Sequence, residues 1–316
     1  MLAIFNILFP VFGLIGFGVL LRYTGILDAA MEKAFNTFCY FVALPVFIFV
    51  KAAQSPTLDG EALKSAGALS LVTLGLLICS AIGAKLFRIP SRALGTFVHA
   101  SFRGNLAYIG LPVILFALRE APASLQAKAE TLTILSMAPG VFLYNLLGVG
   151  VLEWDRRHER TGHPLRACCL STIRNPLILS CFAGFSWNAL ALPLPDLGLR
   201  MATPVAQTAF PLALLSIGSR ISALSWRKGL GAGLGVLLMK NGLGLLLGLG
   251  VTRLLGLEGV GRLVILVLST CPTAVASYVL VDQLDGDREL AASAISVTHL
   301  GSVIALAAAL WLGYPL

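Results

Sequence analysis

Charge is scarce in this chain. Asp, Glu, Lys and Arg make up 12% of its 316 residues and apolar types 57%, whereas soluble domains carry roughly 25% charged residues. Mean hydropathy is +0.88. Such a composition excludes a water-soluble globular protein. The apolar residues fall in runs of roughly 17–25, the length that spans a bilayer core. They lack the short alternating pattern of a membrane barrel, so the class is helical. Other absences narrow the chemistry. The six cysteines (Cys39, Cys79, Cys168, Cys169, Cys181 and Cys271) contain no Cys-x-x-Cys, and four lie inside apolar runs, so no disulfide is expected. His158, His163, Cys168 and Cys169 do not fit zinc spacing. Asp282, Asp285 and Asp287 are too sparse for calcium and read as a solvated loop. No metal or cofactor is expected. No acidic residue sits at mid-span, so the paired carboxylates of an intramembrane enzyme and a sodium ligand set are both missing. The N-terminus, MLAIFNILFP, lacks a basic n-region and a small-residue cleavage site before Arg22, and reads as a retained helix.

Ten apolar segments are present, at roughly 3–22, 33–51, 65–87, 93–118, 130–152, 173–192, 199–219, 229–254, 260–281 and 290–312. The net charge is +8. In this setting Lys and Arg anchor helix ends and set topology, and no nucleic-acid partner is implied. With the N-terminus outside, the inner loops hold Arg22, Lys33, Lys85, Arg88, Arg92, Arg156, Arg157, Arg160, Arg166, Arg174, Arg220, Arg227, Lys228 and Arg288. The outer loops hold Lys51, Lys64, Arg119, Lys128, Arg200, Arg253 and Arg262. Fourteen against seven predicts both termini outside and the basic loop 153–172 in the cytoplasm. Arg103 and Lys240 lie within spans.

That loop divides the chain into a first five-helix unit, 1–152, and a second, 173–316. Pro10 and Pro45 are 35 apart, as are Pro176 and Pro211, and the pairs are offset by 166. Further on the offset becomes 168, pairing Lys85-Leu86 with Arg253-Leu254 and carrying Gly104 to Pro272. An odd helix count per unit makes this an inverted-topology repeat. Helix 4 (His99-Ala-Ser-Phe-Arg-Gly-Asn-Leu-Ala-Tyr-Ile-Gly-Leu-Pro112) and helix 9 (Leu268-Ser-Thr-Cys-Pro-Thr-Ala-Val-Ala-Ser-Tyr278) each place a helix breaker at mid-span. Freed backbone groups in lipid need protein or a water-filled cavity around them. Two broken helices crossing there would aim two half-helix N-termini at one point, a setting that favours an anion.

The same stretches carry a resemblance. Arg103-Gly-Asn-Leu-Ala-Tyr-Ile-Gly-Leu-Pro112, Ile173-Arg-Asn-Pro176 and Cys271-Pro-Thr-Ala-Val-Ala-Ser-Tyr278 with Asp285-Gly-Asp287 resemble the auxin efflux carrier family. That family includes the plant PIN carriers and bacterial malate and malonate permeases. The resemblance spans essentially the whole chain. It implies an all-α fold of ten transmembrane helices, like the sodium/proton antiporter and bile-acid symporter folds, with scaffold helices 1, 2, 6 and 7 and transport helices 3–5 and 8–10. It also implies a substrate site where helices 4 and 9 cross, and elevator-type alternating access. Gly104-Asn105 stands where plant members have Pro-Asn, and Pro272 matches the second crossover proline. Helix 3, Leu69 to Ala84, lacks the acidic and basic residues of the plant carriers. The implied substrate is therefore a small organic anion, a mono- or dicarboxylate such as malate or malonate, carried across the bacterial inner membrane. An auxin-like aromatic carboxylate exporter and a non-transporting channel or receptor are the alternatives.

The substrate-binding candidates are Asn105, Gly104, Arg103, Pro272, Thr273, Ser277, Asn145 and Tyr144. Asn105 offers both donor and acceptor. Arg103 is costly at mid-membrane unless it faces a cavity or a partner. Lys240, beside Asn241, has the same two readings, and His299 reads as a packing residue. Gly231, Gly235, Gly244 and Gly248 read as close helix packing, with no βαβ context for a dinucleotide. The expected partners are the lipid bilayer, the anion, and a second copy through the scaffold helices.

Overall fold

The computed structural model describes residues 2–55, 60–154, 174–224 and 227–313. Their regular elements are helices, joined at one point by an isolated β-bridge. The helices are α1 (Leu2–Tyr23), α2 (Ala29–Ala53), α3 (Gly60–Leu86), α4 (Ser91–Phe102), α5 (Leu106–Ala117) and α6 (Ala123–Trp154). After the basic segment follow α7 (Pro176–Ala189), α8 (Asp196–Ala223), α9 (Leu230–Leu254), α10 (Gly259–Thr270), α11 (Ala276–Gln283) and α12 (Arg288–Gly313). Seven of them (α1, α2, α3, α6, α8, α9 and α12) are long and apolar enough to cross a membrane. The chain is a polytopic, all-helical membrane protein. The expected span at 173–192 appears as α7, 14 residues long, about 21 Å at the helical rise. Residues 155–173, and with them His158, His163, Cys168, Cys169 and most of the basic loop, lie outside the described residues.

Helix starts follow local chemistry. Asp28 accepts the Met31 amide at 2.8 Å to cap α2. Asn175 accepts the Leu177 amide at 2.9 Å to cap α7, with Pro176 at the first helical position. Asp287 accepts the Leu290 amide at 2.9 Å and starts α12. Inside the spans, π-helical turns occur at Cys39–Ala43, Leu106–Gly110 and Leu238–Leu243. The first two end two residues before Pro45 and Pro112. Each proline lacks an amide and crowds the carbonyl four residues back, so the preceding turn widens.

Among the helix crossings closer than side chains would permit, two are related in sequence. Where α1 crosses α8, a Cβ on Gly18 would stand 2.2 Å from the Leu215 carbonyl oxygen, and one on Gly218 would stand 2.0 Å from that of Ile15. Where α2 crosses α7, a Cβ on Gly184 would stand 2.7 Å from both Ala52 Cβ and the Phe49 oxygen. Gly184 lies 166 after Gly18, and Gly218 lies 166 after Ala52. One contact therefore recurs with its partners exchanged.

The interior centres on α10, buried from Val260 to Thr270 except at Arg262, and on the first half of α12, buried from Leu290 to His299. Carboxylates stay near helix ends. Lys51–Glu130 (2.9 Å) and Lys128–Glu61 (2.5 Å) pair at one end of the bundle. Arg220–Glu32 (3.6 Å), Lys228–Glu289 (3.4 Å) and Arg288–Asp282 (2.6 Å) pair at the other.

Candidate functional site

Two chain breaks meet in the interior. Helices α4 and α10 are each 12 residues long and start 168 positions apart, at Ser91 and Gly259. Each ends at an interruption, Arg103–Asn105 in one case and Cys271–Val275 in the other, before α5 and α11 begin. There the two extended segments form an antiparallel bridge between Gly104 and Thr273. The Asn105 amide donates to the Pro272 carbonyl at 2.8 Å, and the Ala274 amide to that of Arg103 at 3.0 Å. The bridge thus pairs Gly104 one residue beyond the Pro272 of the 168 offset. Pro272 has no amide, so its carbonyl is the group that enters the ladder. Thr273 braces the joint from behind. Its hydroxyl donates to the Ala100 carbonyl at 2.8 Å, and its amide donates to Thr298 Oγ1 at 3.0 Å.

Breaking α10 leaves terminal carbonyls that no following turn can satisfy. The π turn of α9 supplies the donors. Lys240 Nζ donates to the Ser269 carbonyl at 2.8 Å, and Asn241 Nδ2 to that of Thr270 at 2.8 Å. Lys240 is 1% exposed. A Cβ on Gly104 would lie 3.2 Å from its Cε and 3.3 Å from its Nζ. The cation therefore sits directly behind the backbone of the first break.

In front of the breaks lies a cavity of ≈ 310 Å³. Of the sequence candidates, Arg103, Gly104, Asn105, Tyr144 and Asn145 line it. Pro272, Thr273 and Ser277 do not; they hold the crossing from the buried side. Asn105 is almost wholly buried, and its Nδ2 has no hydrogen-bond partner among the described residues. Arg103 Nη1 lies 3.5 Å from His99 Nε2. Tyr144 is almost wholly buried at the cavity edge. The starts of both second half-helices also line the cavity, through Leu106, Ala107 and Tyr108 on one side and Ala276 on the other, together with Ala274 of the second break. The Asn105 carbonyl receives the amides of Ile109 (3.1 Å) and Gly110 (3.2 Å). Helix N-termini carry partial positive charge, which adds to that of Arg103.

Sequence reasoning missed Tyr40, Tyr108 and Asn175 as lining residues. Asn175-Pro176 carried a usable signal, a capping residue followed by proline at the helix start. Tyr40 carried none, because its direction depends on the π turn at Cys39–Ala43. Elsewhere, His299 Nδ1 lies 2.7 Å from the Ile295 carbonyl within its own helix, in keeping with a packing role. Asp282 pairs with Arg288, and Asp287 caps a helix.

The chain matches the family described as "Membrane transport protein" in two stretches, residues 3–164 and 156–311. It is also similar to an uncharacterized transporter of Methanocaldococcus jannaschii, 24% identical over 299 residues, which cover 93% of each chain. Apolar spans, a broken-helix crossing inside the bundle and these matches agree. The chain belongs to the membrane transport protein family, that of the auxin efflux carriers, and is a transporter rather than an enzyme.

Proposed function

We propose that this protein is a secondary carrier that moves a small organic anion, a mono- or dicarboxylate, across the bacterial inner membrane. The anion binds in the cavity at the crossing. Arg103, Asn105, Asn145 and Tyr144 contact it, Gly104 lets the backbone approach, and Pro272, Thr273 and Ser277 hold the joint. The observation that carries this reading is Asn105. It is a buried amide with an unused donor, set between a guanidinium and a helix N-terminus beside a cavity. A bound carboxylate would supply the missing acceptor.

In this reading the chain crosses the membrane ten times, counting α4–α5 and α10–α11 as one pass each, as two inverted five-pass units with both termini outside. The recurring α1–α8 and α2–α7 crossings support the repeat. Those four helices form the scaffold, and α3–α6 with α9–α12 move against it as an elevator. Phe5, Phe9 and Phe17 of α1 and Leu197 and Met201 of α8 stay exposed, which suits a scaffold facing lipid or a second copy. One observation favours the aromatic-carboxylate alternative: Tyr40, Tyr108, Val141 and Leu177 give the cavity a largely apolar wall.

The test is a thermal-shift panel on the purified protein with malonate, malate, benzoate and indole-3-acetate. A ligand that binds only the folded state raises its stability. At least one member raises the melting temperature of the wild type, and Asn105→Ala removes that shift while melting normally without ligand. A full shift in Asn105→Ala overturns the site. Saturable counterflow of that anion in proteoliposomes then separates a carrier from a channel.

A further inference from the structure

Lys240 does more than cap a helix. Its neighbour Asn241 does the same capping work on the next carbonyl with a neutral amide, at the same 2.8 Å. The 168 offset that relates α4 to α10 carries Lys240 back to Val72 and Asn241 back to Thr73. The first half-helix thus ends with no lysine at the corresponding place. A cation is not what a broken helix needs at this position, and at mid-membrane it is costly. Lys240 forms no ion pair among the described residues. No Asp or Glu lines the cavity, and no cluster that could hold a metal ion occurs among the described residues. What faces the ammonium is the negative end of the α10 dipole on one side and the Gly104 backbone, floor of the anion cavity, on the other.

We propose that Lys240 is the resident counter-cation of the transported anion. It is a fixed charge behind the cavity floor that takes the place of a co-bound inorganic cation, and it makes the site selective for negative ligands without touching them. Gly104 is the thin wall through which it acts, since any side chain there would press on the ammonium. This inference rests on the crossing being the anion site.

The test measures affinity of the full-length protein for whichever carboxylate of the panel stabilises the wild type, in Lys240→Gln and Lys240→Arg. Gln keeps a neutral donor at this position, and the melting temperature of each variant without ligand is measured beside its affinity, so that loss of the cap is read separately from loss of the charge. Removing a unit charge this close to the anion weakens carboxylate binding by about tenfold or more in Lys240→Gln. Lys240→Arg stays within about twofold. Wild-type affinity in Lys240→Gln, or equal losses in Gln and Arg, overturns the proposal and leaves Lys240 a cap. Should both variants fail to fold, Gly104→Ala is read instead. Its Cβ displaces the same ammonium, so a loss of about threefold or more is expected, and unchanged affinity overturns the idea. The two readings fail separately. Loss of binding in Asn105→Ala with none in Lys240→Gln removes only the counter-cation. Full binding in Asn105→Ala, or no stabilisation of the wild type by any panel member, removes the site and this inference with it.

Discussion

The α1–α8 crossing can be broken with one methyl group. In Gly218→Ala the new Cβ would stand 2.0 Å from the Ile15 carbonyl oxygen, whereas the closest comfortable carbon–oxygen approach is about 3.3 Å. The obstacle is backbone, so no rotamer relieves it, and the helices must part by about 1 Å along their contact. Overpacking of this kind costs about 1–3 kcal/mol. Replacing glycine by alanine inside a helix returns at most about 1 kcal/mol of propensity. Packing outweighs propensity over most of that range, leaving a net loss of up to about 2 kcal/mol. For a chain of this size that is a fall in melting temperature of up to about 3 °C. Gly16→Ala is the control, on the same helix as Gly18 but with nothing within 4 Å of its added Cβ, and it should match or slightly exceed the wild type. The assay is thermal unfolding of the purified variants in one detergent. Equal melting temperatures for Gly218→Ala and Gly16→Ala would refute the reasoning, because the close crossing would then not be holding α1 and α8 together.

Two further substitutions separate support from binding. Asn175→Ala removes the cap of α7 and a cavity-lining amide together; a loss of about 1 kcal/mol in stability should accompany weaker carboxylate binding in the thermal-shift panel. Thr273→Val keeps the shape at the crossing but deletes the buried hydroxyl bond to Ala100, so unfolding should show a loss of about 1–3 kcal/mol, with ligand affinity changed less than in Asn105→Ala.

Much of the fold was legible because a bilayer makes composition do the work of pattern. Apolar runs with charges mostly at their ends showed where the helices lie, and seven of the helices are long and apolar enough to cross a membrane. The two interior breaks were legible through Gly104 and Pro272, residues whose backbone chemistry is local. Side-chain direction was not. Whether Thr273 faces the cavity or the core depends on which residue of the second break pairs with Gly104, and no single residue type announces that pairing; in the structure it is Thr273, with the Asn105 amide on the Pro272 carbonyl. Tyr40 was hidden for a related reason, since a π turn rotates everything around it.

Lys240 shows where reading single residues runs out. In sequence, a lysine at mid-span has two meanings, ligand contact or internal partner, and nothing nearby chooses between them. The structure gives it an internal partner, the Ser269 carbonyl, yet also sets it against the one glycine that floors the cavity. Both facts follow from the same break. Ending α10 inside the bundle exposes carbonyls that demand donors, and crossing it with the Gly104 segment brings those donors next to the cavity. A residue that satisfies the backbone is thereby placed directly behind the cavity floor. At the corresponding point of the first half, Val72 leaves that charge out. The two helices that end at the crossing start 168 positions apart, yet only the second is met by a lysine, and under the proposed reading chemical selectivity enters through that difference.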